Sequence, residues 1–185
     1  MLDAQQARRI AASLLAEPLP RRWAHTQGVA ATARRIAPIL GADADLLEAA
    51  AWLHDIGYAP PIATAGFHPL DGARYLRDHE HADAILCGLV AYHTGAIHEA
   101  RERGLAEALT GEFNPPPQLL GHAITYCDIT TSPDGTPADV AERIADVQSR
   151  YGLEHPVSKS VRAGTATYLE SVDDIERRLA ASPSR

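Results

Sequence analysis

The stretch AAAWLHDIGYAP, residues 49–60, decides how the rest of the sequence is interpreted. Its apolar residues lead into a histidine and an aspartate that stand side by side, His54 and Asp55, shortly before Gly57. Leu47 and His54 are seven residues apart and share one helix face, so His54 is expected to face the core where Gly57 stops the helix. Two side chains that can both bind metal therefore occupy a place where a core helix would ordinarily just end.

The composition is that of a folded globular chain. The sequence has 185 residues, of which 45% are hydrophobic and 22% charged, which excludes a wholly disordered protein. This length suits one domain that buries a real core. We expect a single domain over residues 1–185, with a core at about 20–150 and C-terminal helices at about 138–180 that pack on it.

Charge and hydropathy exclude several classes of protein. The formal net charge of −7 argues against general nucleic-acid binding, which depends on Lys and Arg. No stretch has the ~20 apolar residues of a membrane span, and the start lacks a secretory signal, so a cytoplasmic protein is expected. Cys87 and Cys127 are too few for a disulfide framework, and both are expected to be reduced. A homodimer stays open as an alternative to a monomer.

Apolar residues recur at helical spacing along most of the chain and predict an all-α fold. His25 shares a stripe with Val29 and Ile36 in a helix predicted over 21–40. A second helix over 83–94 places His93 at the end of its apolar face, and Asp128 shares a face with Ile124 in a later helix. Each apolar stripe therefore carries a metal-binding side chain toward the core.

The remaining segments are predicted from turn and cap residues. The pair His68 and Pro69 indicates a helix start, and a polar helix is expected near 97–109. Thr136 is expected to cap a helix that begins at Pro137. A final helix is predicted over roughly 158–180.

Six polar side chains are thus expected at buried helix ends or a helix start. They are His25, His54, Asp55, His68, His93 and Asp128. Burying one such group unpaired costs roughly 2–7 kcal/mol, so together they require a common partner, which a metal centre provides. Imidazole and carboxylate without thiolate favour Fe, Mn, Co, Ni or Zn at an open catalytic site. Six ligands exceed the need of one tetrahedral ion and favour two divalent ions bridged by Asp55.

The motifs around these residues resemble those of a known family. The segments AHTQGVA, WLHDIG, FHPLDGARYL, VAYHTG and YCDITTSPDG are similar to the HD-domain metal-dependent phosphohydrolases, over residues 20–150. The resemblance implies an HD-domain helical bundle in which His25, His54, Asp55 and Asp128 bind metal, and His68 and His93 complete a second site. His54, Asp55 and Asp128 would be catalytic. The likeness extends to small bacterial HD hydrolases of dinucleoside tetraphosphates, although Tyr58 stands where several subfamilies have lysine.

This resemblance predicts a small phosphorylated substrate, such as a nucleotide, cleaved at an ester or anhydride by an activated water. Cations and hydrogen-bond donors near the ligands in sequence are the candidate substrate-binding residues. They are Arg21, Arg22, Arg74, Thr94, His98 and Arg101.

Two other functions are consistent with the same ligand order. HD-type diiron oxygenases, which act on small polyols or aminophosphonates, share it, and iron content with oxygen uptake would indicate that class. A non-catalytic binding or regulatory domain is the third alternative, and its mark would be tight nucleotide binding without turnover.

Overall fold

A computed structural model of the chain describes residues 2–182. In this range the structure contains ten α-helices joined by short turns and 3-10 segments. The helices are α1 (Ala4–Leu15), α2 (Pro20–Ile36), α3 (Ala44–Leu53), α4 (His68–Asp78), α5 (Ala84–Tyr92), α6 (Ala96–Glu102), α7 (Ala106–Glu112), α8 (Gln118–Ile129), α9 (Val140–Tyr151) and α10 (Pro156–Ala181). The described residues include no strand beyond one isolated bridge, Thr131 to Pro137. The all-α prediction is confirmed.

Helix α3 lies at the centre of the bundle. Its residues from Leu46 to Leu53 are buried except Glu48, which is half-buried, and α1, α2 and α8 pack around the helix. A helix that is apolar on nearly every face is stable only when it is surrounded by others. The C-terminal end of α3 consequently delivers His54 and Asp55 to the interior.

Helix α2 is shorter than the sequence predicts. Its α-helical part ends at Ile36, and the chain continues as a 3-10 segment over Ala37–Ile39. Pro38 explains this change, since proline has no backbone N–H and clashes with the preceding turn of an α-helix. His25 lies in the middle of α2 and is unaffected.

Two other boundaries differ from expectation. The helix predicted at 97–109 is two helices, α6 and α7, separated at Gly104, whose φ is +70°. Thr136 does not cap α9; Asp139 does, and it accepts hydrogen bonds from the backbone of Ala141 and Glu142. Thr136 is instead hydrogen-bonded to Ser132, through both side chains and through the backbone, within the turn that follows α8.

The helix ends that carry polar residues converge on one side of α3. They are the C-terminal ends of α3, α5 and α8 and the N-terminal end of α4, beside the middle of α2. Helix α10 packs on α6 and α8 and carries α9 against its own N-terminal part. Over residues 2–182, no helix has the length and apolarity of a membrane span.

Candidate metal centre

The structure brings all six predicted ligands together in two groups. His25, His54 and Asp128 form one, and Asp55, His68 and His93 form the other; within each, the ligand atoms lie within 4.8 Å of one another. Asp55 lies between the two groups, because its Oδ2 is 3.2 Å from His54 Nε2 and its Oδ1 is 3.3 Å from His68 Nε2. The arrangement resembles two adjacent cation sites that share one carboxylate.

Backbone carbonyls fix the orientation of three of the imidazoles. His54 Nδ1 donates to the carbonyl of Ala51 at 2.8 Å, and His93 Nδ1 donates to that of Val90 at 2.7 Å. His25 Nδ1 donates to the carbonyl of Ser132 at 2.9 Å. Because a carbonyl only accepts, each ring holds its proton on Nδ1 and turns Nε2 toward the site as a ligand atom.

One of these nitrogens is an orphan. His54 is fully buried, and within residues 2–182 its Nε2 has no hydrogen-bond partner. A buried polar atom without a partner is costly, so its placement calls for a bound group. The ring of His54 packs edge-on against those of His25 and His93, which places three imidazoles around the same space.

The second group contains a close pair of imidazole nitrogens. His68 Nε2 and His93 Nε2 are 3.1 Å apart. Burial lowers the pKa of both histidines, that of His68 well below its usual value, and favours neutral rings. Neutral imidazole is the form that binds metal, so the two rings suit a shared cation.

Both carboxylates are held ionised. Burial alone would raise the pKa of Asp55, but the positive charge of Arg22 is the main reason that this pKa stays well below its usual value. Burial opposes ionisation of Asp128 too, and the nearby imidazole of His25, whose Nε2 lies 3.0 Å from Oδ1, is the main reason that the pKa of Asp128 is lowered nonetheless. Thr94 donates a hydrogen bond to Asp128.

These residues fit divalent metal. The donors are imidazole nitrogens and carboxylate oxygens in a buried pocket, a set that suits transition metals at an open site. The orphaned Nε2 of His54 and the paired nitrogens of His68 and His93 are the two observations that a cation would explain.

A cavity of about 130 Å³ opens above the two groups. Among the predicted substrate-binding residues, Arg22 and Thr94 line it. Arg22 is half-buried, and its Nη1 donates to Asp55 at 2.8 Å. Polar groups of the chain therefore surround a small space directly over the candidate metal ligands.

The other predicted substrate-binding residues lie elsewhere. Arg21 is exposed and paired with Asp134 at 2.8 Å. Among the described residues, the lining of this cavity does not include Arg74, His98 or Arg101, so a role for them in substrate binding stays a prediction. Arg74 is turned to Glu112, Arg101 is exposed on α6, and His98 is half-buried beside Gly95.

Several residues that line the cavity were not predicted from sequence, and four of them have side chains that carry or share in its chemistry. They are Tyr58, Glu99, Arg143 and Tyr168. Tyr58 stacks on His68 with ring centroids 3.9 Å apart, and Tyr168 donates to the backbone carbonyl of Thr94 at 3.2 Å. The place of Tyr58 next to the HDIG motif was the one available indication, whereas Arg143 and Tyr168 come from α9 and α10, whose docking no local pattern predicts.

Comparison with known proteins agrees with this geometry. The HD domain family matches residues 22–151. A deoxyguanosinetriphosphate triphosphohydrolase-like protein of Azorhizobium caulinodans is 54% identical over 50 residues, which cover 27% of this chain and 12% of that relative. The chain thus spans a small part of the length of that protein. No solved structure gives a significant match. With most of its length matched, the chain belongs to the HD domain family.

Proposed function

We propose that this chain is a metal-dependent phosphohydrolase that cleaves a phosphate ester or anhydride of a nucleotide or another small phosphorylated metabolite. The observation that carries the proposal is the position of Asp55 between two groups of ligand atoms, beneath a small cavity that an arginine enters. Membership of the HD domain family and the likeness to a triphosphohydrolase-like protein support it.

We assign the ligands by group. His25, His54 and Asp128 would hold one divalent ion, His68 and His93 the other, and Asp55 would serve both. Two ions held in this way supply Lewis-acid polarisation of a phosphoryl group and activation of a water nucleophile. The native metal would be one of Fe, Mn, Co, Ni or Zn, since the donors are nitrogen and oxygen.

Arg22 is the residue that would bind the substrate phosphate. Its guanidinium lies over the ring of Tyr58, 4.1 Å from the centroid, while one nitrogen donates to Asp55. These contacts fix the fork of the side chain beside the cavity and leave other N–H groups to reach phosphoryl oxygens, as arginine does in many phosphate sites. Arg22 would then neutralise charge that develops on the phosphoryl group.

Thr94 and Tyr168 would act by positioning. Thr94 has a positive φ of 45°, a backbone conformation that is uncommon for a non-glycine residue. Its hydroxyl donates to Asp128, and its carbonyl accepts from Tyr168. The loop after His93 is therefore tied to both α8 and α10, which holds Asp128 in the orientation required of a ligand.

The test is hydrolysis by the reconstituted protein. Purified chain loaded with Mn, Fe, Co or Ni is expected to cleave bis-p-nitrophenyl phosphate or members of a nucleotide panel. Asp55→Ala should abolish turnover, whereas Asp45→Ala, which replaces an exposed aspartate in the preceding helix α3, should retain it. Absence of turnover across the panel with every metal would contradict the proposal, and oxygen uptake by the iron form would replace it with the oxygenase alternative.

A further inference from the structure

A second and larger cavity adjoins the candidate metal centre. It measures about 420 Å³ and lies between the start of α2 and helix α9. Arg22, Tyr58 and Arg143 line both cavities, so the two spaces lie side by side at these residues. We call the second one the arginine groove, after its four arginines, Arg21, Arg22, Arg143 and Arg150.

The charge of the arginine groove is opposite to that of the whole chain. Four arginines line it, and among the described lining residues there is no aspartate or glutamate, although the formal net charge of the chain is −7. The carboxylates that pair with Arg21, Arg143 and Arg150 are Asp134 and Asp146, which lie outside the lining. The lining of this groove therefore presents arginines and no carboxylate, whereas the lining of the metal cavity contains carboxylates.

Arg143 is the most buried of the four arginines in the groove. Only 12% of its side chain is exposed, its contact with Asp146 is long at 3.5 Å, and its buried Nε has no hydrogen-bond partner within residues 2–182. A buried N–H group of a charged side chain normally has an acceptor. Arg143 stands at the junction of the two cavities, where an anionic ligand could accept from it.

Most of the remaining lining of the groove is apolar or aromatic. Leu19, Pro133, Val147 and Tyr151 contribute to it, and Tyr151 is 44% exposed. An exposed tyrosine ring can stack on a planar ring of a ligand, and the neighbouring arginines favour a ligand that carries negative charge. Helix α9, which supplies Val147 and Tyr151, has no fully buried residue and is held mainly by α10.

We propose that the arginine groove binds a second anionic group of an extended substrate. The first phosphate of this substrate would lie at the metal centre, and a ring would separate it from the second group. The favoured ligand class is therefore a compound with one phosphate on each side of a ring, rather than a simple monoester. This inference rests on the proposed function for hydrolysis of the first phosphate at the metal centre. Binding of the second phosphate in the groove can be measured without hydrolysis.

A matched pair of nucleotides tests the groove. Adenosine 3′,5′-bisphosphate and adenosine 5′-monophosphate differ only in the second phosphate, and calorimetric titration gives the affinity of the metal-loaded protein for each. The wild-type protein is expected to bind the bisphosphate roughly tenfold more tightly, since one phosphate bonded by arginine contributes about that much. Chromatography of the same samples reports hydrolysis, and thus the proposed function, separately.

Two variants test whether the preference for the bisphosphate depends on the arginine groove. Arg150→Gln, within the groove, should remove most of the preference for the bisphosphate, and raised salt should weaken it in the wild type. Arg162→Gln, an exposed arginine on α10 outside the groove, should leave the preference unchanged. Equal affinity of the wild type for both nucleotides, or a preference that survives Arg150→Gln, would overturn the inference whether or not either nucleotide is hydrolysed.

Discussion

Arg22 donates from Nη1 to Asp55 Oδ2 at 2.8 Å, and the same guanidinium lies 4.1 Å from the ring centroid of Tyr58. One arginine thus contacts a candidate metal ligand and the residue that follows the HDIG motif. In this chain the positive charge comes from α2, across the cavity, and the tyrosine ring supports it.

Replacement of Arg22 should separate binding of phosphate from binding of metal. Arg22→Gln is expected to lower kcat/KM for a phosphate ester by roughly 100-fold, the scale seen when one donor to a transition-state oxyanion is removed. Arg22→Lys should recover little, because an ammonium cannot reproduce the fork or its stacking. Steady-state kinetics with metal content measured on the same samples checks this, with exposed Arg9→Gln as the control. Unchanged kcat/KM in Arg22→Gln would remove Arg22 from the site.

Tyr58 should stabilise His68 as a ligand. The two rings stack at 3.9 Å with an interplanar angle of 17°. Tyr58→Ala is expected to weaken binding of the metal ion at His68 and His93 by roughly 10–100-fold, the usual cost of losing a group that orients a ligand. Tyr58→Phe keeps the ring and should bind metal as the wild type does. Titration of metal-free protein with Mn²⁺ measures both, and wild-type affinity in Tyr58→Ala would contradict this role.

The close approach of α2 to the loop after α8 should be sensitive to one methyl group. A Cβ at Gly28 would lie 2.3 Å from the carbonyl oxygen of Gly135, in the loop whose Ser132 orients His25. Gly28→Ala is expected to lower the free energy of unfolding by about 1–3 kcal/mol, a typical cost of overpacking.

The control for this substitution is a helical glycine in open space. A Cβ at Gly111, in α7, would meet nothing within 4 Å. Gly111→Ala should therefore raise the free energy of unfolding, by up to about 1 kcal/mol. Urea denaturation compares the two variants, and equal stability of Gly28→Ala and the wild type would show that the contact with Gly135 is not tight.

The contact between α8 and α10 should depend on pH. Asp174 accepts from His122 Nδ1 at 3.0 Å, and this bond, followed by that from Arg178, lowers the pKa of Asp174. A lowered pKa contributes stability that is present above the unfolded value, about 3.9, and is lost as pH falls through the folded value.

Asp174→Asn should therefore be less stable than the wild type at neutral pH, by about 1–2 kcal/mol. The difference should shrink as the pH falls below about 4, where the carboxyl of the unfolded chain becomes protonated first and that of the folded chain at still lower pH. Urea denaturation of both proteins between neutral and acidic pH measures the difference. A difference that stays constant over this range would show that the Asp174 charge does not stabilise the contact.

The ligand groups could be predicted because local rules determine each one. His54, His93 and Asp128 each end an apolar helical stripe, and a stripe must face the core. Once three such ends are buried in one bundle, their side chains meet. Burial of these polar groups was therefore predictable without knowledge of how the helices cross.

The residues that line the cavity above the candidate metal ligands could not be predicted in the same way. Arg74 is close to His68 in sequence, but six residues along a helix turn a side chain by about 240°, away from the ligand face. Arg143 and Tyr168 reach the cavity only because α9 and α10 fold back over it. Proximity along the chain is a poor guide to the lining of a pocket when its walls come from distant helices.

The most direct test of the central claim, that the six side chains bind divalent metal, is anomalous diffraction at the manganese edge from crystals grown with Mn²⁺. Two anomalous peaks are expected. One should lie beside His25, His54 and Asp128, the other beside His68 and His93, with Asp55 within ligand distance of both, roughly 2.0–2.2 Å. Crystals grown with Mn²⁺ that show no anomalous peak among these six side chains would contradict metal binding at this site.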